Sequence, residues 1–292
     1  MTESAIVLPV DEAAEPPRRR RARITPVAAI SLVWIAVVAI ACAIGPSLLH
    51  LSAYTTDVAH AYDAPSAVHA LGTDGLGRDE LARLLEGGRI TLSVGIIAAL
   101  VAMVIGTVYG AISGYYGGWL DTLLMRIVDV LLSIPTLFLL LFLAAMFHGN
   151  LLALMLVIGA TSWLGPSRLV RGDVLTLKER LFVEAARSIG AGDRRIIFRH
   201  VVPNAIGTII TTTTFMIASA MLAETALSFL GIGVRAPTPS WGNLLSSAQS
   251  DIFAGAWWLI LPPGFAILFS VCAFNFIGDW MREREERSVV GT

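Results

Sequence analysis

An all-α membrane protein with six transmembrane helices is the fold this chain predicts, and three observations predict it. Of its 292 residues, 55% are hydrophobic and only 15% charged, with a mean hydropathy of +0.73. A soluble domain of this size would carry more charge. The apolar residues gather in separate runs, most of them close to the ~20 residues that a spanning helix wants. The cations are also sorted by side. With the N-terminus inside, 17 of the 21 Lys+Arg fall on inner segments, and only Arg78, Arg83, Arg89 and Arg235 fall outside. That is the positive-inside pattern, and it places both termini in the cytoplasm. A net charge of -1 gives no sign of a nucleic-acid partner. Cys42 and Cys272 both lie inside apolar runs, so they read as packing residues and not as a disulfide framework.

Residues 1–24 are polar, with Glu15-Pro-Pro17 followed by Arg18–Arg21 and Arg23. They read as a disordered basic cytoplasmic tail whose arginines fix topology, with lipid or nucleic-acid binding the lesser alternative. The transmembrane domain is expected over 25–280, and 281–292 as a cytoplasmic tail. Span one is expected at 27–49. Ala41-Cys42-Ala43 imitates a signal-peptidase site, but the long acid-containing leader and the length of the run favour a retained helix. A polar loop follows, then an amphipathic piece with Leu81, Leu84 and Leu85. Span two, 90–112, carries a stripe of Ala102, Gly106 and Gly110, continued by Gly114, that suits close helix packing. Span three is expected at 122–147, where Arg126 and Asp129 share a face and are expected to pair. Span four, 151–164, is short and ends before Pro166, so it is expected to continue into the next loop or to lie tilted. Span five, 205–229, contains Thr211–Thr214, able to bond back to helix carbonyls. Span six is expected at 255–277.

The longest charged interval between spans runs from about Ser167 to Pro203, with eight cations against four acids. Val174, Leu177, Leu181, Ala185 and Ile189 recur at helical spacing, while Arg180, Glu184 and Arg187 mark another face. Arg180 and Glu184 form an i,i+4 pair of opposite sign. Gly190 and Gly192 break the pattern, Asp193 is placed to cap a second short helix, and Pro203 to close it. The expected product is a helix–turn–helix on the cytoplasmic surface, a docking shape without catalytic groups.

No catalytic constellation is visible. A phosphate-binding loop needs Gly-Lys-Ser/Thr at its end, and the only lysine, Lys178, sits in Leu-Lys-Glu-Arg. His50, His60 and His69 share one outer loop, but without the short spacing of a metal site they read as solvated histidines. Glu224 is the one acid deep in a span without an evident partner. Two readings stand for it, a residue of a translocation path or gate, and a helix–helix hydrogen bond.

The sequence Glu184-Ala-Ala-Arg-Ser-Ile-Gly190, with its spacer to Pro203, resembles the EAA loop of importer-type ABC transporter permeases. Three further stretches resemble the C-type permease subunit of dipeptide and oligopeptide importers. They are His69-Ala-Leu-Gly-Thr-Asp-Gly-Leu-Gly-Arg-Asp79, Arg126-Ile-Val-Asp-Val-Leu-Leu-Ser-Ile-Pro135, and the run from Ala223-Glu-Thr-Ala to Pro-Ser-Trp-Gly-Asn243. His200, Val202, Ala70 and Ala236 stand where the family often has other residues. The resemblance implies a type I importer permease fold with a cytoplasmic coupling helix, in a bacterial cytoplasmic membrane. It implies docking of ATPases on Glu184, Ala185, Ala186 and Gly190, with Arg180 and Arg187 supplying charge beside them. Partners implied are a homologous permease, two ATPase subunits or one fused ATPase, and an extracytoplasmic peptide-binding protein, besides membrane lipid. ATP and Mg would belong to the ATPases, with no cofactor on this chain. Nickel importers share these motifs and form the nearest alternative. An ion-coupled transporter would want acidic or broken-helix sites in related halves, and a non-transporting scaffold would lack substrate-stimulated ATP hydrolysis.

Overall fold

The computed structural model describes residues 24–147, 150–251 and 255–290. The arginine-rich leader and its topological role lie outside them. The described residues are helical wherever the sequence is apolar. Helix α1 (Pro26–Leu48) starts at Thr25, whose hydroxyl accepts from the Ala28 amide, with Pro26 in its first turn. Helix α2 (Glu80–Tyr116) starts at Asp79, which accepts from the Ala82 amide at 2.8 Å. It is 37 residues long, or ~55 Å, which exceeds the ~30 Å hydrocarbon thickness. The expected amphipathic piece and span two are therefore one helix that projects beyond the bilayer. Gly117 and Gly118, both at positive φ, turn the chain straight into α3 (Gly118–Leu132).

Span three is not the continuous helix the hydropathy suggested. It is α3 and α4 (Thr136–Met146), bent by 81° across Ser133–Pro135. Pro135 supplies the physical reason, because it has no N–H and disfavours helical geometry at Ile134. Span four continues into the following loop, as its shortness suggested. Helix α5 (Leu151–Ser162), capped by Asn150, leads through a 46° bend into α6 (Leu164–Leu177). After the short helices α7 (Leu181–Ser188), α8 (Asp193–Ile196) and α9 (Val202–Asn204) come α10 (Ile206–Phe229), α11 (Trp241–Ser250) and α12 (Leu261–Val290). The charged residues from Arg282 onward thus begin as part of a helix. Among the described residues, four helices are long and apolar enough to cross a membrane alone, and six spans result if each bent pair counts as one.

Helix α2 is the centre of the packing. Its small-residue stripe lies against α6, where a methyl added at Gly106 would stand 2.8 Å from the Pro166 Cβ and one at Gly114 2.8 Å from the Arg171 carbonyl. The two backbones are in contact, and only glycine permits that. On its other sides α2 meets α1, α5 and α10, and α12 packs on α1 and α10. Thr213 and Thr214 bond back to the Ile209 and Ile210 carbonyls, as the threonine run suggested.

Charge pairing departs from expectation at α3. Asp129 pairs with Arg168 of α6 and not with Arg126, because α6 runs alongside α3 and brings a cation across the gap. Nearer the start of α3 Asp121 takes Arg171 from α6 and the Ser113 hydroxyl from α2.

Just ahead of α2, the Gly72–Asp79 motif is a fastening. Asp74 accepts from the amides of Leu76 and Arg78 and pairs with the Arg78 guanidinium at 2.7 Å. His69 pairs with Asp79 at 2.9 Å and His60 with Asp57 at 2.8 Å, so these two loop histidines serve carboxylates. Trp258 donates to the Thr73 carbonyl and Trp241 to that of Leu84, which holds this loop and α11 against the head of α2.

Candidate docking site

The basic loop folds as a small unit hung below α2 and α6. Helix α6 stops at Leu177. Lys178 then turns its ammonium onto the free carbonyls of Gly114 and Tyr115 at the end of α2, at 2.9 and 3.4 Å. A cation at that helix end satisfies its last acceptors and its dipole together. The one lysine of the chain is therefore a splice between two helices.

The stripe from Val174 to Ile189 does not belong to one helix. Arg180 is extended (φ -79°, ψ 147°), and α7 starts after it. Arg180 therefore stands just ahead of the first turn of α7, and no ion pair joins its side chain to Glu184 among the described residues. Within α7 the burial pattern is Val183 and Ala186 inward, at 0% and 4% exposure. They pack on Val170, Val174, Ile196, Ile197 and Val201. Leu181 and Ile189 point away, at 81% and 86% exposure. Glu184, Ala185, Arg180, Arg187 and Gly190 share that exposed side, whereas Ala186 is one of the two residues that seat the helix.

The end of α7 requires its glycine. Gly190 has φ +79°, its amide donates to the Arg187 carbonyl, and the Ala191 amide donates back to Ala186. This is a Schellman cap with glycine in the left-handed position. Gly192 is ordinary extended backbone, so one glycine, not two, makes the hinge. Asp193 does not cap α8. Gly192 holds that position, and Asp193 is the first helical residue, its carboxylate accepting the Tyr115 hydroxyl at 2.8 Å. Pro203 does not close the segment either. The chain stays helical through a π turn (Ile197–Val201) and α9, and it breaks at Ala205.

Tyr115 also carries the Arg187 guanidinium 5.5 Å above its ring. Its hydroxyl is the largest influence raising Arg187 above the ordinary arginine range. Beside α7, an open hollow is lined by Gly192, Asp193, Arg194, Arg195, Phe198 and Arg199. The surface offered outward is thus two apolar prongs, a carboxylate, several arginines and a half-exposed phenylalanine. It has the mixed apolar and charged character of a protein interface. Leu181, Ile189, Phe198, Tyr115 and Lys178 are the residues that sequence reasoning missed here. With Val183 and Ala186 seating the helix, Leu181 falls on its opposite face, and Ile189, just past its end, is left exposed.

Glu224 lies elsewhere, near the C-terminal end of α10 and 0% exposed. It accepts from Thr91 of α2 at 3.0 Å and from Ser228 of its own helix at 2.6 Å. Thr91 in turn accepts the Trp241 amide. The structure therefore places Glu224 in a contact among α2, α10 and α11.

Comparison with known proteins agrees with this architecture. A family model described as the inner membrane component of binding-protein-dependent transport systems matches residues 106–290, which include the whole docking unit. The chain is 42% identical over 267 residues to the oligopeptide transport system permease protein OppC of Escherichia coli (strain K12), covering 91% of this chain and 88% of that one. It is 40% identical to the OppC of Salmonella typhimurium over the same shares. With the dipeptide transport system permease protein DppC of Bacillus subtilis (strain 168) the identity is 37%, over 82% of this chain and 75% of that one. The chain belongs to the inner membrane components of binding-protein-dependent transport systems, as a multi-pass, non-catalytic permease subunit.

Proposed function

We propose that this permease carries di- or oligopeptides across the cytoplasmic membrane, driven by ATP hydrolysis on separate subunits that dock on α7. The observation that carries the reading is the docking unit itself. It is seated by Val183 and Ala186, spliced to α2 by Lys178 and Tyr115, and turned outward at Leu181, Glu184, Arg187 and Ile189. Such a unit moves as a rigid body and passes a partner's motion to the spans, which a loose loop cannot do. Peptide as cargo is supported by relatives named as oligopeptide and dipeptide permeases over most of their length.

In this reading a homologous permease completes the pathway, and two ATPase subunits or one fused ATPase hold the two docking helices. An external binding protein delivers peptide to the outer face formed by 69–85 and 232–250. Both termini, and the basic tails with them, lie in the cytoplasm. ATP closure draws the docking helices together and opens the spans outward, and hydrolysis resets them. The test is uptake of labelled di- and oligopeptides, with nickel alongside, in a strain lacking this chain and in the same strain complemented. Peptide uptake restored by the chain supports the proposal, and restoration of nickel uptake alone overturns the cargo.

A further inference from the structure

The segment that joins α7 to α10 has two sides. Ile196, Ile197 and Val201 turn inward and pack on Val170, Val174 and Val183. Outward, Arg194, Arg195 and Arg199 line an open hollow of about 930 Å³ together with Gly192, Asp193 and Phe198. All three arginines are exposed, and none has an ion pair or side-chain hydrogen bond among the described residues. The acid in the lining, Asp193, is already engaged, because its carboxylate accepts the Tyr115 hydroxyl at 2.8 Å. Phe198 stands among these cations and is 45% exposed. The hollow therefore presents three guanidinium groups and an aromatic ring, and it has no counter-charge of its own.

Its place along the chain says what could supply that charge. Helix α10 has 24 residues, or ~36 Å, against a hydrocarbon core of ~30 Å, so its first turn lies at the edge of the bilayer. Ile206 and Ile210, in its first two turns, are 51% and 45% exposed, as suits contact with lipid chains. Arg199 is seven residues before Ile206 in a chain that is helical apart from the break at Ala205. Seven helical residues rise only ~10 Å, which leaves a long arginine within reach of the headgroup layer. Arginines beside an exposed phenylalanine, with a buried apolar side beneath, have the composition of a segment that lies at a membrane surface. Guanidinium groups also match phosphate oxygens in pairs. We propose that this hollow holds the phosphate headgroup of an anionic phospholipid, gripped by Arg194, Arg195 and Arg199, with Phe198 set toward the acyl chains. The prongs Leu181 and Ile189 belong to α7, so lipid and ATPase would take different parts of the unit. The site does not depend on which cargo the permease carries.

The test uses the complete complex in vesicles of phosphatidylcholine and phosphatidylglycerol, with one lipid radiolabelled at a time. Phe198 is replaced by photoreactive benzoylphenylalanine, and in a second protein Ile189 is replaced by the same group. The expected result is that light links position 198 to phosphatidylglycerol well beyond its share of the bilayer. Apparent affinity, read from link yield against phosphatidylglycerol content, should fall roughly five-fold with Arg195→Gln and again with Arg199→Gln, since each cation near an anionic surface contributes about that much. Arg195→Lys and Arg199→Lys keep the charge and should retain most of the affinity. Linking of both lipids in proportion to their share means an unselective boundary and overturns the proposal. So does a link from position 198 to an ATPase polypeptide, which would make the hollow a protein contact, and so does the absence of any link. Inorganic phosphate that abolishes the lipid link would mark a free-anion site and equally overturn it. Position 189 reports on the docking reading separately, because it should link to an ATPase. Failure there sinks that reading and leaves the lipid site standing, whereas failure at 198 alone does the reverse.

Discussion

The Tyr115 hydroxyl donates to Asp193 at 2.8 Å while the Arg187 guanidinium lies 5.5 Å above the same ring. One residue at the end of a spanning helix thus holds both docking helices. Tyr115→Phe keeps the ring and loses the hydrogen bond, for a cost of ~1 kcal/mol. Tyr115→Ala also removes the cation–π contact, at a further ~0.5–1 kcal/mol. The expected outcome is graded: Phe lowers peptide moved per ATP hydrolysed in proteoliposomes, Ala lowers it more, and both variants still insert. Equal coupling in all three proteins would detach Tyr115 from the linkage.

The two faces of α7 should separate binding from stability. Leu181→Asp and Ile189→Asp change side chains that are more than four-fifths exposed, so the subunit's thermal stability is expected to hold while ATPase co-purification is lost. Val183→Asp buries a charge where nothing pairs with it, and the cost is several kcal/mol. That variant should lower the melting temperature first and ATPase binding as a consequence. If Leu181→Asp and Ile189→Asp retain ATPase like wild type, the prongs are not contacts.

Gly190 and Glu184 test coupling by a different route. Proline fixes φ near -65°, which is incompatible with the +79° at Gly190. With Gly190→Pro the complex is therefore expected to hydrolyse ATP without moving peptide, and with Glu184→Lys to do the same, by reversing a charge on the proposed docking face. Normal uptake by both variants contradicts the assignment.

Glu224 should behave as a structural acceptor. Glu224→Leu leaves the Thr91 and Ser228 hydroxyls without their partner, at ~1–3 kcal/mol for each one stranded, while Glu224→Gln can still accept from one of them. Thermal denaturation in detergent should rank wild type, then Gln, then Leu, with cargo preference unchanged in Gln. A change of preference with no loss of stability would return Glu224 to the path.

The helices were legible in the sequence because membrane helices satisfy their backbones internally and declare themselves by hydropathy alone. The glycine stripe and the threonine back-bonds were legible for the same local reason. What stayed hidden was set by neighbours distant in the chain. Asp129 chose Arg168 over Arg126 because α6 lay beside it, Asp193 served Tyr115 instead of its own helix, and Glu224 found Thr91 across a helix interface. The orientation of α7 was hidden too, since the periodicity of Leu181, Ala185 and Ile189 is the same whether that stripe faces a core or a partner.

The central claim is that α7 is where an ATPase grips this permease. The measurement that tests it most directly is ATP hydrolysis by the complex purified through a tag on this chain, with and without its binding protein and a peptide pool. The expected result is that ATPase travels with the chain, that binding protein plus peptide stimulates it, and that Ile189→Asp abolishes its capture. A tagged chain that inserts normally and brings no ATPase activity with it would contradict the claim.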